Sequence, residues 1–464
     1  MRRYLLLLIP ILSLTSGAGQ AGNAAAERLA EAVRFKTISY QDRSRIDYSE
    51  FLRFHDFLKS HYPRVFTELD VETVSNYSLL ILWPGSDPQL TPVMFTAHMD
   101  VVPIEPGTET DWDYPAFEGV IDNGRIYGRG TLDDKQGLLS LMEAAESLLE
   151  EGFTPRRTVL FAFGHDEEIS GLHGAVNLAA RIKERGLQSA WMIDEGGFLI
   201  ADSPLLPGRP LGLVSVAEKG YLTVTLSTRG EGGHSSRPPA TGTIGRLSAA
   251  LERVENSPYP PRLVGPVQAM FETIAPHTDQ PQRFIFENLW LTGGLLASQL
   301  AEDPVTSSFV RTTAALTMFN AGVKENVIPQ YAEAKINFRL LPGDTADTVV
   351  ARITDIVDDP LVDISYDAWS DPSPVSDHTG DGFAVISEAV AEVYPEAIVV
   401  PSLLVATTDS RHYVDVSDNQ YRFHGNRLSM EQVNSMHGTN EFLDVESYED
   451  MISIARQMLK KGTR

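Results

Sequence analysis

Three short apolar runs end in residues that bind metal ions or move protons. His98 and Asp100 follow Val93-Met-Phe-Thr-Ala97; His165, Asp166, Glu167 and Glu168 follow Thr158-Val-Leu-Phe-Ala-Phe163; Asp194 and Glu195 follow Ala190-Trp-Met-Ile193. Imidazole together with carboxylate is the donor set of a zinc-class cation, and a spare carboxylate beside it suits general-base work. Each group has an ordinary structural use when read alone. His98 could be a satisfied core histidine, and Asp133 and Asp134, in Gly128-Arg-Gly-Thr-Leu-Asp-Asp-Lys135, could cap a helix. Glu167 and Glu168 could be a solvated pair, and Asp194-Glu-Gly-Gly197 a turn. Those separate uses do not explain why the groups recur at successive strand ends, with His437 in Met-His-Gly-Thr-Asn440 added near the end of the chain.

The elements that must position these groups alternate between strand and helix patterns, which predicts an α/β domain with a mostly parallel sheet. Ligands collect at the carboxyl ends of the strands in such sheets. Between the first two runs, Leu138, Met142, Ala145 and Leu149 mark one face of a helix, and Gly152 stops it. Near residue 215 the pattern changes to period-2 strands: Leu222, Val224 and Leu226, then Ala332, Ala334, Ile336, Phe338 and Leu340, alternate with polar residues. Helical patterns lie near 244–255 and 345–357. The expected organisation is a catalytic domain in two parts, 22–214 and 369–464, interrupted by an α+β lid at 215–368. Residues 257–315, headed by Pro258, Pro260 and Pro261, read as a partly helical elaboration of that lid. The chain should close on a helix near 445–460.

Lys and Arg total 38 against 63 Asp and Glu, a formal charge of −25, which disfavours phosphate backbones and stable contact with anionic lipid. There is no cysteine, so disulfides and thiolate metal sites are excluded and any transition metal must be held by His, Asp and Glu. Arg2 and Arg3, an apolar run from Tyr4 to Leu14 and the small residues of Ser-Gly-Ala-Gly-Gln-Ala21 have the order of a secretory leader spanning 1–21. The expected location is the periplasm or the exterior; an uncleaved membrane anchor is the alternative.

These stretches resemble the two-zinc family of aminoacylases, glutamate carboxypeptidases and succinyl-diaminopimelate desuccinylases. His98-Met-Asp-Val-Val-Pro103, the Gly128 to Lys135 run, Gly164-His-Asp-Glu-Glu168, Asp194-Glu-Gly-Gly197, Gly233-His-Ser-Ser236, Asn326-Val-Ile-Pro329 and His437 occur in family order. Ala217-Glu-Lys-Gly220, Arg311-Thr-Thr-Ala-Ala315, Ala321-Gly-Val-Lys324 and Thr408-Asp-Ser-Arg411 are closest to the carboxypeptidase S branch, which includes an N-fatty-acyl-amino-acid synthase/hydrolase.

The resemblance implies a mostly parallel-sheet di-zinc peptidase domain with an inserted lid of the dimerisation type. One zinc would take His98, Asp133 and Asp194, with Asp194 favoured over Glu195. The other would take His437, Asp133 and Glu168, and cobalt or manganese could replace either ion. Asp133 would bridge the ions, about 3.5–4 Å apart, ahead of a cis Asp133–Asp134 peptide. Asp100 would fix the tautomer of His98, and Glu167 would be the general base. A hydroxide held between the metals would attack the amide of an N-acyl amino acid or short peptide bearing a free carboxylate, and the reverse condensation is thermodynamically permitted. His234 would stabilise the oxyanion, and Arg339 and Asn326 would hold the carboxylate end. In many relatives that histidine comes from a partner subunit, which implies a homodimer unless the elaboration covers the dimer edge. Arg411 has no assigned role. Phe271, Phe284, Phe286, Trp290 and Leu291 are candidates for an acyl channel, or else the ordinary core of the elaboration. Two alternatives stand beside the acylase reading: a di- or tripeptide carboxypeptidase or aminopeptidase, and a non-catalytic periplasmic binding protein on the same fold.

Overall fold

Val93–His98 and Val159–Gly164 are buried along their whole length, as apolar runs must be when helices cover both faces of a parallel sheet. In the computed structural model, which describes residues 18–464 (side chains from Ala24 onward, Asp367 and Ala368 excepted), these strands pair in parallel inside a ten-stranded sheet. Residues 1–17, which carry most of the expected leader, lie outside the described residues. Met192–Asp194 joins the other side of Val93–His98, and Gln420–Arg422 runs parallel to Met192–Asp194. Ser78–Trp83 pairs antiparallel with Val159–Gly164, so the sheet is mixed around a parallel centre. Val159, Phe161 and Phe163 share a core with Leu138, Leu141 and Met142 of the helix Lys135–Glu150. Leu160 and Ala162, on the opposite face, pack with Leu178 and Ile182 of the helix Ala175–Glu184. That alternation is the two-residue period of a strand.

Leu138, Met142, Ala145 and Leu149 are buried, as their spacing predicts. The helix ends at Gly152, whose φ of +72° is left-handed. Its N–H donates to Leu149 O, and the N–H of Phe153 donates to Leu148 O, the paired bonds of a Schellman cap.

The lid is a four-stranded antiparallel sheet in the order Thr313–Ala321, Tyr331–Leu340, Gly220–Arg229, Val362–Ser370. Leu222, Val224, Leu226, Ala332, Ala334, Ile336, Phe338 and Leu340 face a core with the helices Thr243–Glu255 and Ala346–Val357. The strand Leu211–Glu218 straddles the expected border at 215 and belongs to the large sheet, so the chain changes sheets at Lys219. Lys219 is buried there, and its Nζ donates to Ser308 O and Arg311 O, both at 2.9 Å.

The elaboration contains the helices Gly265–Ile274, Gln282–Glu287, Leu289–Leu300 and Pro304–Val310. Their apolar residues pack with Leu211, Ala217, Val400 and Leu403 of the large sheet. They therefore brace the catalytic sheet and leave the lid's edge strand Thr313–Ala321 exposed at Leu316, Met318 and Phe319. The chain closes on the helix Val445–Gly462, and no described helix is long and apolar enough to cross a membrane.

Two glycines should respond to alanine with opposite signs. Gly152→Ala, forced to keep positive φ, should lose about 1 kcal/mol. Gly294→Ala lies inside the helix Leu289–Leu300 with open space at its Cβ, and should gain about 0.5–1 kcal/mol. Urea unfolding midpoints of the two variants, falling in the first and rising in the second, check this.

Candidate metal centre

The strand Val93–His98 delivers His98 to the carboxyl edge of the sheet, where it is buried. Its Nδ1–H donates to the backbone oxygen of Asp100 at 3.0 Å, which leaves Nε2 as the lone-pair nitrogen. That Nε2 lies 2.9 Å from Asp133 Oδ1 and 3.5 Å from Glu195 Oε1. The Asp100 carboxylate stands beside the ring as well, with Oδ1 3.3 Å from Nδ1. It also accepts from the N–H groups of Glu167 and Glu168, at 3.1 and 3.2 Å, and from the hydroxyl of Ser39 at 2.6 Å. One residue thereby fixes the tautomer of His98 and anchors the loop that follows Val159–Gly164. Burial would raise the Asp100 carboxyl, but the His98 and Ser39 contacts outweigh it and hold it below the usual range.

Asp133 faces two imidazoles at once. Oδ2 is 2.9 Å from His437 Nε2, as Oδ1 is from His98 Nε2, and the Asp133–Asp134 peptide is cis. Glu168 Oε1 lies 3.4 Å from His437 Nε2, buried and without a hydrogen bond. Two groups can each converge on one cation, His98 with Asp133 and Glu168, and His98 with Asp134 and Glu195. Nitrogen and carboxylate donors, an orphaned buried oxygen and no thiolate fit divalent ions of the zinc class.

Asp194 does not join this cluster. Neighbouring side chains at a strand end point to opposite sides. Glu195 points at His98, whereas Asp194 turns to Thr96 and to the buried ion pair of Glu218 with Arg422. The structure thus brings Glu195, rather than the expected Asp194, up to His98.

The acids repel one another. Burial, and then the charge of Glu195, push the Glu167 carboxyl well above its ordinary range. Burial and the charge of Asp133 push Glu168 up to about 7 and Glu195 up to about 8. Asp133 moves the other way: the two histidines overcome its burial and lower it.

Sequence reasoning passed over Asp409, Arg129 and Glu441. Asp409 lies in the Thr-Asp-Ser-Arg run, on the turn Asp409–Tyr413, with its Oδ1 buried and unpartnered, and its carboxyl is raised by burial and by Asp194. That run was noticed, but nothing in its spacing ties it to His98.

The lid residues fall into two places. His234, on the two-residue strand Gly233–His234 paired with Val327–Ile328, is exposed, and Asn326 beside it is exposed as well. Arg339 pairs in register with Tyr221, near the change of sheets, and its guanidinium lies 5.0 Å from the centre of the Tyr221 ring. Its Nη1 is buried without a partner, and burial lowers its pKa, with the nearby cation of Arg411 adding to that. His234 lies beyond the far end of the same sheet, where Arg229 pairs with Tyr331. Eight strand residues separate the two ends, roughly 26 Å, so one chain does not bring its own His234 and Arg339 together. The acyl-channel candidates also separate. Phe271 and Phe286 are core, with ring centres 4.8 Å apart, whereas Phe284, Trp290 and Leu291 are open to solvent.

Residues 94–461 match the model of peptidase family M20/M25/M40. The chain is 38% identical over 442 residues to an N-fatty-acyl-amino acid synthase/hydrolase of Bos taurus, covering 94% of this chain and 87% of that one. It is 37% identical over 440 residues to a probable carboxypeptidase S-like protein of Dictyostelium discoideum, covering 94% and 84%. Among solved structures it resembles an M20 family metallo-carboxypeptidase from Sulfolobus solfataricus, with a TM-score of 0.67 at 19% identity over 94% of this chain and 98% of the other. The chain is a metal-dependent hydrolase and belongs to peptidase family M20/M25/M40.

Proposed function

We propose that this enzyme hydrolyses the amide bond of N-acyl amino acids that carry a free carboxylate, using two zinc ions. The observation that carries the reading is the carboxylate of Asp133, with one oxygen 2.9 Å from His98 Nε2 and the other 2.9 Å from His437 Nε2. His98, Asp133 and Glu195 would hold one ion, and His437, Asp133 and Glu168 would hold the other. Cobalt or manganese fits the same donors. When bound, such a pair of ions supplies Lewis acidity for the carbonyl and lowers the pKa of water.

Glu167 stands beside the Glu168 ligand with its carboxyl raised by burial and by Glu195, which suits it to take a proton from the attacking water and pass it to the leaving amine. Arg339 carries a buried, unpaired guanidinium nitrogen, the fork that a substrate carboxylate satisfies. The Ser236 N–H donates to Nδ1 of His234, which puts the ring proton on Nε2, where it can donate to an oxyanion. The distance from His234 to Arg339 and the exposed strand Thr313–Ala321 support a homodimer in which each His234 serves the partner's site. The leader-like residues 1–21 support export to the periplasm or beyond. The name of the bovine relative supports an acyl substrate, and that of the Dictyostelium relative supports a peptide.

A substrate panel decides between them. The zinc-loaded enzyme should release amino acid from N-acyl substrates, and turnover of dipeptides alone would move it to the peptidases. Chelation should abolish turnover. Glu167→Ala should lower kcat by about 10²–10⁴-fold while zinc content stays unchanged; loss of zinc in that variant would count against a proton-transfer role.

Mixing two inactive variants tests the shared site. Glu167→Ala and His234→Ala, allowed to exchange subunits at equal concentration, should recover about a quarter of wild-type activity, because half the dimers then hold one intact site. No recovery after demonstrated exchange would place His234 in its own chain's site or outside catalysis.

A further inference from the structure

His98 and His437 are held by different means. His98 is buried, and its ring is locked by the bond from Nδ1 to Asp100 O. The imidazole of His437 is half exposed, and among the described residues its Nδ1 has no hydrogen bond. It sits at a φ of +61°, on the loop between the helix Met430–Ser435 and the strand Phe442–Asp444. A left-handed residue on an open loop needs its backbone held if its ring is to stay over Asp133.

That hold comes from two buried charges. The side chain of Arg129 is 2% exposed and that of Glu441 is 0% exposed, and Nη1 of the arginine lies 2.5 Å from Oε2 of the glutamate. The other arm of the guanidinium, Nη2, donates to His437 O at 3.2 Å and to Gly438 O at 3.0 Å. The second oxygen of Glu441, Oε1, accepts from Gly130 N–H at 3.0 Å and Leu132 N–H at 2.8 Å, on the segment leading into Asp133. A backbone bond from Gly128 N–H to Glu441 O closes the link at 2.9 Å. Arg129 thus holds the His437 loop, Glu441 holds the Asp133 loop, and their ion pair sets the distance between the two.

We infer that Arg129 and Glu441 are a positioning pair that registers His437 against Asp133 and so sets the affinity of the second metal position far more than that of the first. The inference rests on reading His437, Asp133 and Glu168 as the donors of that position. The first position shares Asp133, but its imidazole, His98, is fixed by its own strand and by Asp100 and takes no hydrogen bond from Arg129 or Glu441, so the effect falls mainly on the second. Partners that orient metal ligands typically change metal affinity 10–100-fold when altered.

Removing one member of a buried ion pair strands the other and destabilises strongly, so the test keeps the charge. Arg129→Lys retains a cation against Glu441 and loses the fork that reaches two carbonyls. The double variant Arg129→Met/Glu441→Gln removes both charges and is read in the same way if the lysine variant does not fold. Zinc is titrated into metal-free protein by calorimetry, with the unfolding temperature of the metal-free form recorded alongside. Wild type should bind two equivalents. The variant should bind its first equivalent within about twofold of wild type and its second 10–100-fold more weakly, with the metal-free unfolding temperature close to wild type. Equal weakening of both equivalents, or weakening of neither, overturns the inference while leaving the two-ion centre standing. A wild type that binds one equivalent overturns the centre itself and the inference with it.

Discussion

Asp133 is the point at which the large sheet and the C-terminal loop must agree. Its two oxygens face His98 from one strand end and His437 from a loop that arrives only after the chain has built and left the lid. A shared carboxylate tolerates little error, since each oxygen has to meet its own imidazole at hydrogen-bond distance. The surrounding structure reads as a set of restraints on that meeting. Asp100 pins the histidine and the Glu167–Glu168 loop together, and Glu441 gathers the N–H groups of the loop before Asp133. Burial of the parallel strands behind them keeps the edge from shifting.

The same arrangement concentrates negative charge where water is scarce. Glu167, Glu168, Glu195 and Asp409 are all pushed toward the protonated form by burial and by neighbouring carboxylates. Buried charges are tolerated when paired with opposite charge or used to coordinate metals, and among the described residues His98 and His437 face Asp133, Glu168 and Glu195. A site with this imbalance is shaped for cations, and the peptide scaffold holds the acids in place through backbone N–H groups and burial. Function is bought here with local stability, a familiar exchange at catalytic centres.

The lid meets the catalytic sheet at Lys219, where the chain passes from one sheet to the other. Arg339 lies close to that junction, near Arg411 and through it near Asp409, while His234 sits at the opposite end of the lid sheet. The helices of 265–310 fasten to the outer strands of the large sheet and stay off the lid's exposed edge. The elaboration therefore braces the catalytic domain and leaves the lid's edge strand exposed.

Much of this was legible in the residues. Buried parallel strands require unbroken apolar runs, one-sided lid strands require alternation, and both patterns stand in the chain where the sheets form. His98 and Glu168 stand out because imidazole and carboxylate recur at strand ends, whereas Asp133 and His437 are singled out as donors by the resemblance of their stretches to the two-zinc family. The choice between Asp194 and Glu195 could not be made that way. It depends on the phase in which Met192–Asp194 leaves the sheet, and a shift of one residue exchanges the two side chains. Arg129 and Glu441 were hidden for a related reason: a buried ion pair joins segments far apart in the chain, and no local pattern marks which arginine will meet which glutamate. Local chemistry and periodicity thus determined the elements, and with the family resemblance they pointed to the candidate donors. Tertiary packing decided which oxygen faces which nitrogen, because that depends on the relative placement of segments that share no sequence pattern.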